Sequence, residues 1–230
     1  MAAILNIETS TDVCSVALTY DGQVVAQRED YRGHNHATLL SGYIKDCMDE
    51  AKNKNLKLDA IAVSIGPGSY TGLRIGLSEA KGLAYALDVP LIGVDTLAIM
   101  AVTVMFSDFF DSDVMFAPMI DARRMEVYTA VYNYALETLL APTPLILDEN
   151  SYDRYLDRGP VIFFGNGSDK AKPLLEKHKN ANFITEIHPL AVNMTALSER
   201  AYRNRDFLDL AYSTPQYLKE FQATKPKSIF

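Results

Sequence analysis

The order of strand-like and helix-like segments limits this 230-residue chain to a mixed α/β fold. Each half of the chain starts with two strand-like runs joined by a short turn, and continues into alternating strands and helices. The turn is Asp21-Gly22 in the first half and Asp121-Ala122-Arg123-Arg124 in the second. Because the same order occurs twice, we predict two lobes of the same architecture, at residues 1–108 and 109–230.

Hydrophobic periodicity sets the boundaries of the predicted elements. The predicted strands are residues 3–7, 13–19, 23–29, 60–65, 91–94, 114–120, 126–134, 145–147 and 161–164. The predicted helices cover the apolar stripe at 40–51 and residues 71–87, 97–106 and 192–204, and one further helix ends near residue 178. The polar loop 107–113 is the predicted joint between the lobes.

The composition is that of a globular protein, with 48% hydrophobic and 22% charged residues. There are 22 Lys and Arg against 29 Asp and Glu, which gives a net charge of −7. This balance argues against strong nucleic-acid binding by the chain alone, because such binding depends on basic side chains that neutralise phosphates. Two cysteines cannot form a disulfide framework. With no export signal or membrane span in the sequence, we predict a cytoplasmic protein.

A glycine-rich turn lies between the predicted strand 60–65 and the predicted helix 71–87. Its sequence is Gly66-Pro67-Gly68-Ser69. A turn between a strand and a helix can direct backbone N–H groups at an anion. However, the Gly-Lys-Ser/Thr of a Walker sequence is absent, and Pro67 removes one donor. The motif alone therefore does not predict phosphate binding.

Small residues form a stripe along the predicted helix 71–87, at Gly72, Gly76, Ala80 and Ala84. Glycine inside a helix costs about 1 kcal/mol relative to alanine, so two glycines on one face indicate a close neighbour. Two interpretations are open. The stripe either packs within this chain or forms a seam with another protein, together with the helix at 40–51.

Residue patterns typical of catalysis or metal binding are not found in the sequence. No His-Glu-x-x-His or Cys-x-x-Cys occurs, and no histidine pair has a third ligand at a recognised spacing. We interpret the histidines as structural, and they are His34, His36, His178 and His188. We therefore predict neither a catalytic residue nor a metal site.

The charged corner at residues 121–124 allows two interpretations. Opposite charges at a turn between strands can form an internal ion pair that stabilises the turn. Alternatively, the corner presents Arg123 or Arg124 to a nucleotide or to a partner.

Several segments together resemble the bacterial TsaB (YeaZ) family. They are residues 4–10, 66–84 and 121–128, and residues 215–218 are similar to the family's C-terminal element, with Lys219 where Arg is usual. The resemblance is specific across residues 1–134 and weaker afterwards. It implies the two-lobed fold of the actin, sugar-kinase and Hsp70 group (ASKHA), with a mixed five-stranded sheet in each lobe.

The resemblance also implies a function. TsaB is a paralogue of TsaD, which transfers threonylcarbamoyl to N6 of the adenosine next to the anticodon, in tRNAs reading codons that begin with adenine. The two histidines of the TsaD metal motif would fall on Thr96 and Met100, which cannot replace two imidazoles. The resemblance therefore implies a non-catalytic partner that binds and activates TsaD, with TsaE in the same complex.

The family contacts TsaD through the two helices that follow His36 and Gly68. The partner-binding residues carried over by this resemblance are Leu40, Tyr43, Ile44, Gly72, Leu73, Gly76, Leu77 and Ala80. We expect a bulky residue at Gly76 to abolish TsaD binding and to leave the fold intact. An apolar seam of this kind also predicts a homodimer of the isolated chain.

The resemblance implies no cofactor of the chain's own. ATP or ADP would bind only at a joint surface with TsaD, and tRNA would be reached indirectly through TsaD.

Two other functions are open. A stand-alone kinase or acyl transferase of the same fold would use candidate nucleotide loops, which are Glu8, Thr9, Ser10, Gly66, Gly68, Gly165 and Gly167. A metallopeptidase, which the family's older glycoprotease label suggests, conflicts with the missing metal ligands. Tight binding of ATP or zinc to the purified chain would favour an enzyme.

Overall fold

The computed structural model describes residues 2–33 and 35–219, and its first lobe is built on a five-stranded sheet. In spatial order the strands are β3 (Gln23–Asp30), β2 (Cys14–Tyr20), β1 (Ala3–Glu8), β4 (Ala60–Gly66) and β5 (Leu91–Asp95). The first three strands are antiparallel, β4 is parallel to β1, and β5 is parallel to β4. The helices of this lobe are α1 (His36–Asn53), α2 (Tyr70–Leu87) and α3 (Thr96–Met105).

The second lobe repeats this arrangement. In spatial order its strands are β8 (Thr138–Ile146), β7 (Glu126–Tyr132), β6 (Met115–Asp121), β9 (Val161–Phe164) and β10 (Ala181–Ile184). The remaining helices are α4 (Asp153–Leu156), α5 (Ser168–Leu175), a 3₁₀ turn at Ala191–Met194, and α6 (Thr195–Asn204). Two sheets with the same order of antiparallel and parallel strands confirm the predicted α/β, ASKHA-like fold.

Both faces of the first sheet are covered by helices, so β1 is buried along its whole length. Because successive side chains of a strand point to opposite faces, Leu5 and Ile7 pack with α1 and α2, whereas Ile4 packs with α3 and α6. This two-sided burial explains why β4 is a nearly continuous apolar run and why even the polar residues of β1, Asn6 and Glu8, are buried.

Helix α3 lies between the two lobes. On one side Ile99 and Val102 pack against the first sheet, and on the other Leu97 and Met100 pack against the second. A helix that contacts apolar surfaces on both sides has no solvent face, which explains why residues 96–105 are almost entirely apolar.

The C-terminal part of the chain returns to the first lobe. Helix α6 packs on the first sheet, and residues 205–219, here called the C-terminal strap, continue across that lobe. The Leu208 amide donates to the Leu91 carbonyl at 2.8 Å, and Lys81 Nζ donates to the carbonyls of Ala211 and Ser213. The predicted boundary at 108 and 109 thus separates the two sheets, but residues 191–219 of the predicted second lobe pack on the first.

Two strands differ from the sequence-based prediction. β8 is nine residues long and contains Pro142 and Pro144, whereas only residues 145–147 were predicted as a strand. Proline is tolerated here because β8 is at the edge of its sheet. β10 was not predicted, since an edge strand of four residues carries little periodic signal. Among the described residues no helix is both long and apolar enough to cross a membrane.

A buried hydrogen bond in the second lobe provides a test of its packing. The fully buried Tyr152 hydroxyl donates to Thr129 Oγ1 at 2.9 Å. Tyr152→Phe removes this bond, and we expect a loss of about 1 kcal/mol in the free energy of unfolding, measured by urea denaturation. Tyr155→Phe is the control, because the Tyr155 hydroxyl makes only a 3.4 Å contact with the Leu139 carbonyl. Equal losses in the two variants would contradict this assignment.

Candidate functional site

The residues that follow β1 form the first candidate nucleotide loop, and they are completely buried. Glu8, Thr9 and Ser10 have no exposed surface. The Ser10 amide donates to Glu8 Oε1 at 2.5 Å, and the Ser69 amide donates to the Ser10 carbonyl at 2.6 Å. Burial raises the pKa of the Glu8 carboxyl from 4.5 to about 7, against the opposing effect of hydrogen bonds from Ser10 and Ser64.

The small-residue stripe of α2 packs directly against this loop. A Cβ atom at Gly68 would overlap the Ser10 carbonyl oxygen, and one at Gly72 would overlap the Thr9 carbonyl oxygen. A Cβ atom at Gly76 would overlap the Thr9 hydroxyl, which donates to the Gly72 carbonyl at 2.8 Å. The close neighbour that the glycines accommodate is therefore this chain's own backbone.

This packing places most of the predicted seam residues in the interior of the first lobe. Seven of the eight are buried inside the first lobe, and these are Leu40, Ile44, Gly72, Leu73, Gly76, Leu77 and Ala80. Tyr43 alone is partly exposed. The expectation that a bulky residue at Gly76 leaves the fold intact is wrong, because the added side chain has no space beside Thr9.

The glycines of the other candidate loops also contact protein atoms. A Cβ at Gly66, whose φ is +115°, would lie 2.8 Å from the Gln216 carbonyl oxygen of the C-terminal strap. One at Gly165 would overlap the Met100 methyl group. One at Gly167 would lie 2.9 Å from Val127 Cγ1.

The exposed face of α1 and α2 carries an apolar groove of about 530 Å³. Met48, Leu56, Leu83 and Leu87 line it, and each is partly exposed. Its charged rim comprises Lys45, Asp49, Lys52, Lys57 and Glu79, and the Ser41 hydroxyl donates to Glu79 Oε1 at 2.7 Å. The residues carried over from the family lie on the apolar stripe that the first lobe buries, whereas the groove lies on the exposed faces of the same two helices.

Comparison with known proteins identifies the family. Residues 26–227 match the family model described as TsaD, tRNA N6-adenosine threonylcarbamoyltransferase. The tRNA threonylcarbamoyladenosine biosynthesis protein TsaB of Bacillus subtilis is 33% identical over 177 residues, 75% of each chain. This chain belongs to the TsaB family.

Further members of the TsaB family and a solved structure agree with this assignment. TsaB of Escherichia coli is 38% identical over 129 residues, which cover 56% of this chain and 54% of that protein. The structure of YeaZ from Pseudomonas aeruginosa is 28% identical and superimposes with a TM-score of 0.79, covering 95% of this chain and all of that chain. The predicted TsaB (YeaZ) family and the link to tRNA threonylcarbamoyladenosine biosynthesis are confirmed.

Helix α3 carries Thr96 and Met100, the two positions on which the resemblance places the histidines of the TsaD metal motif. Thr96 and Met100 are both buried, and the Met100 methyl group contacts Gly165 of the second lobe. Across the described part of the chain, no group of three or more His, Cys, Asp or Glu side chains could hold a metal ion. His36 Nε2 lies 3.2 Å from the Val13 carbonyl, and His34 lies outside the described residues.

The two remaining histidines contact neighbouring protein groups. His188 packs edge-on against Tyr31, and His178 accepts a hydrogen bond from the Asn180 amide.

The helix between the lobes begins at a buried carboxyl group. Asp95 caps α3 by accepting a hydrogen bond from the Ala98 amide at 2.9 Å, and burial raises the pKa of this carboxyl to about 6.

The charged corner after β6 is held by a residue that the sequence did not indicate. Lys170 Nζ donates to Asp121 Oδ1 at 2.9 Å and to the carbonyls of Arg124 and Glu126. The internal ion pair of the corner is therefore formed by Lys170 on α5, and Arg123 and Arg124 are exposed. A partner 49 residues away in sequence cannot be found from local charge patterns.

The packing of α2 predicts opposite effects for two of its glycines. Gly76→Ala places a methyl group on Thr9, and we expect it to lower the free energy of unfolding by about 1 to 3 kcal/mol. Gly82 has no neighbour within 4 Å of its Cβ position, so Gly82→Ala should raise stability by up to about 1 kcal/mol. Urea denaturation measures both, and a stabilised Gly76→Ala variant would refute the close approach.

The raised pKa of Glu8 predicts a pH-dependent stability. Between pH 4.5 and about 7 the folded chain keeps the Glu8 proton that the unfolded chain releases, so the free energy of unfolding falls as pH rises. Glu8→Gln has no such proton. We expect the stability of Glu8→Gln relative to the wild type to increase across this interval and to be constant above it. Parallel stability curves in urea denaturation would contradict the burial effect, and Asp95 contributes equally to both proteins.

Proposed function

We propose that this chain is a non-catalytic partner that binds TsaD and activates its transfer of threonylcarbamoyl to tRNA, with TsaE in the same complex. The observation that carries the proposal is the exposed apolar groove on α1 and α2, in a chain whose candidate loop residues Glu8, Thr9 and Ser10 are fully buried. An exposed apolar surface with a charged rim is typical of a protein-binding site.

The docking surface in this proposal is the exposed side of the helices that the resemblance selected. The apolar area of this surface comes from Met48, Leu83 and Leu87. The charged residues at the edge of the groove would orient the bound partner. The buried residues of the predicted seam support these side chains from below, since Ile44 lies in both the core and the groove wall. The same surface is the one through which the isolated chain would form a homodimer.

The proposal assigns the chain no nucleotide of its own. Closure of the loop 8–10 by α2, and of Gly66 by the strap, supports this part of the proposal. ATP or ADP would bind only at a joint surface with TsaD, which would also make the principal contact with tRNA. The chain would act in the cytoplasm, where tRNA is modified.

A stand-alone enzyme is the competing function. Calorimetry of the purified chain with ATP and with zinc separates the two, because an ASKHA kinase must bind nucleotide by itself. Tight binding of either ligand would overturn the partner role.

Charged substitutions in the groove test the docking surface. We expect Met48→Glu combined with Leu83→Glu to weaken TsaD binding at least tenfold, because two carboxylates would be transferred into an apolar contact. Ile146→Glu is the matched control, since Ile146 is an exposed apolar residue, at 71%, on β8 of the other lobe. Calorimetry with TsaD measures the affinity, and circular dichroism checks the fold.

A second experiment reconstitutes threonylcarbamoyl transfer and omits each component in turn. The groove variant should lose activity in proportion to its lost TsaD affinity, whereas the control should be fully active. Full activity in the absence of this chain would overturn the proposed function. Unchanged affinity of the groove variant would overturn only the assignment of the surface.

A further inference from the structure

Five basic side chains form one connected group where the two lobes meet. We call it the basic rim, and its members are Arg74, Arg123, Arg124, Lys170 and Lys219. Arg74 Nε donates to the Tyr217 hydroxyl at 2.9 Å, and Lys219 is two residues further along the strap. Lys219 pairs with Glu126, and Lys170 holds the same corner. The strap thus connects α2 of the first lobe to the β6–β7 corner of the second.

The basic rim has the opposite charge to the chain as a whole. Its contacts include two acidic groups, Asp121 and Glu126, which are paired with Lys170 and Lys219. The rim and its ion-pair partners thus comprise five basic and two acidic side chains, in a chain whose net charge is −7. Such local concentration of positive charge on an acidic protein attracts an anionic partner to one place.

Arg123 and Arg124 are the free cations of the rim. Both are exposed, and neither guanidinium has an ion-pair partner among residues 2–33 and 35–219. Their backbones are left-handed, with φ of +69° and +51°, and the three bonds from Lys170 hold the corner in that conformation. Two guanidinium groups are therefore presented on a pre-organised turn, which reduces the entropy lost on binding.

Aromatic rings lie beside Arg74, the member of the rim on α2. The Arg74 guanidinium is 4.2 Å from the Tyr70 ring centroid, and the Tyr70 and Tyr217 rings are 5.1 Å apart. Tyr217 is 40% exposed. Arginine for phosphate together with an aromatic face for a base is the combination by which proteins bind single-stranded and loop RNA.

We propose that the basic rim binds RNA directly, with Arg123 and Arg124 on backbone phosphates and Tyr217 against an unpaired base. This inference rests on the proposed function, since TsaD brings the tRNA to a chain that is too acidic to hold RNA alone. An acidic protein segment would also pair with the arginines. It would make no use of the exposed part of the Tyr217 ring, against which an unpaired base can stack, so the structure favours RNA.

The test uses the complex of this chain with TsaD and a transcribed substrate tRNA. Arg123→Gln combined with Arg124→Gln removes both cations and keeps the side-chain length. The control is Arg200→Gln combined with Arg205→Gln at the end of α6, because both arginines are exposed and Arg205 also has a left-handed backbone, with φ of +58°. Both double variants change the net charge equally.

We expect the rim variant to weaken tRNA binding by the complex about tenfold, since two charge-assisted contacts are lost. The slope of log K against log salt should decrease in magnitude by about 1 to 2. The KM for tRNA should rise with little change in kcat, and affinity for TsaD should equal that of the wild type. The control should bind tRNA as the wild type does.

Three results would overturn the inference in distinguishable ways. Unchanged tRNA affinity of the rim variant in an intact complex refutes the RNA contact and leaves the proposed function standing. Loss of TsaD affinity in the rim variant shows that the rim contacts protein. Failure of the wild-type chain to bind TsaD refutes the proposed function and, with it, this inference.

Discussion

The close approach of α2 to the residues after β1 is the contact on which the first lobe depends. Glycines at 68, 72 and 76 allow the helix to touch the backbone at Thr9 and Ser10, and no larger residue fits there. Glu8 at the end of β1 is fully buried next to this contact, and burial raises the pKa of its carboxyl. It also fixes which face of α2 is exposed, and hence where the apolar groove lies.

The two lobes are joined by contacts that pass through α3 and the C-terminal strap. Met100 fills the space beside Gly165, so a position that would carry a histidine in TsaD is part of the packing between lobes. The strap covers Gly66 and then reaches Glu126 through Lys219. The exposed features that follow are the groove on α1 and α2 and the basic rim.

Much of the architecture follows from local patterns, and particular failures show their limits. The hairpins and the helices of the first lobe were predicted correctly, since each depends on residues near in sequence. The stripe of small residues on α2 was correctly interpreted as a sign that another element packs closely against it. The sequence pattern does not identify that element, which the structure shows to be the segment at Thr9. Lys170 was missed for the same reason, because its partners lie more than 40 residues away.

The sequence by itself determined the α/β class, the two repeated units and the family, because periodicity and motifs are local properties of the chain. Only the tertiary structure decided which residues face solvent. Burial depends on which elements meet, and Thr9 meets Gly72 and Gly76 only after β1 and α2 have packed together. The apolar stripe of α2 therefore lies inside the first lobe with the proposed docking groove beside it, and two exposed arginines of an acidic chain belong to the basic rim.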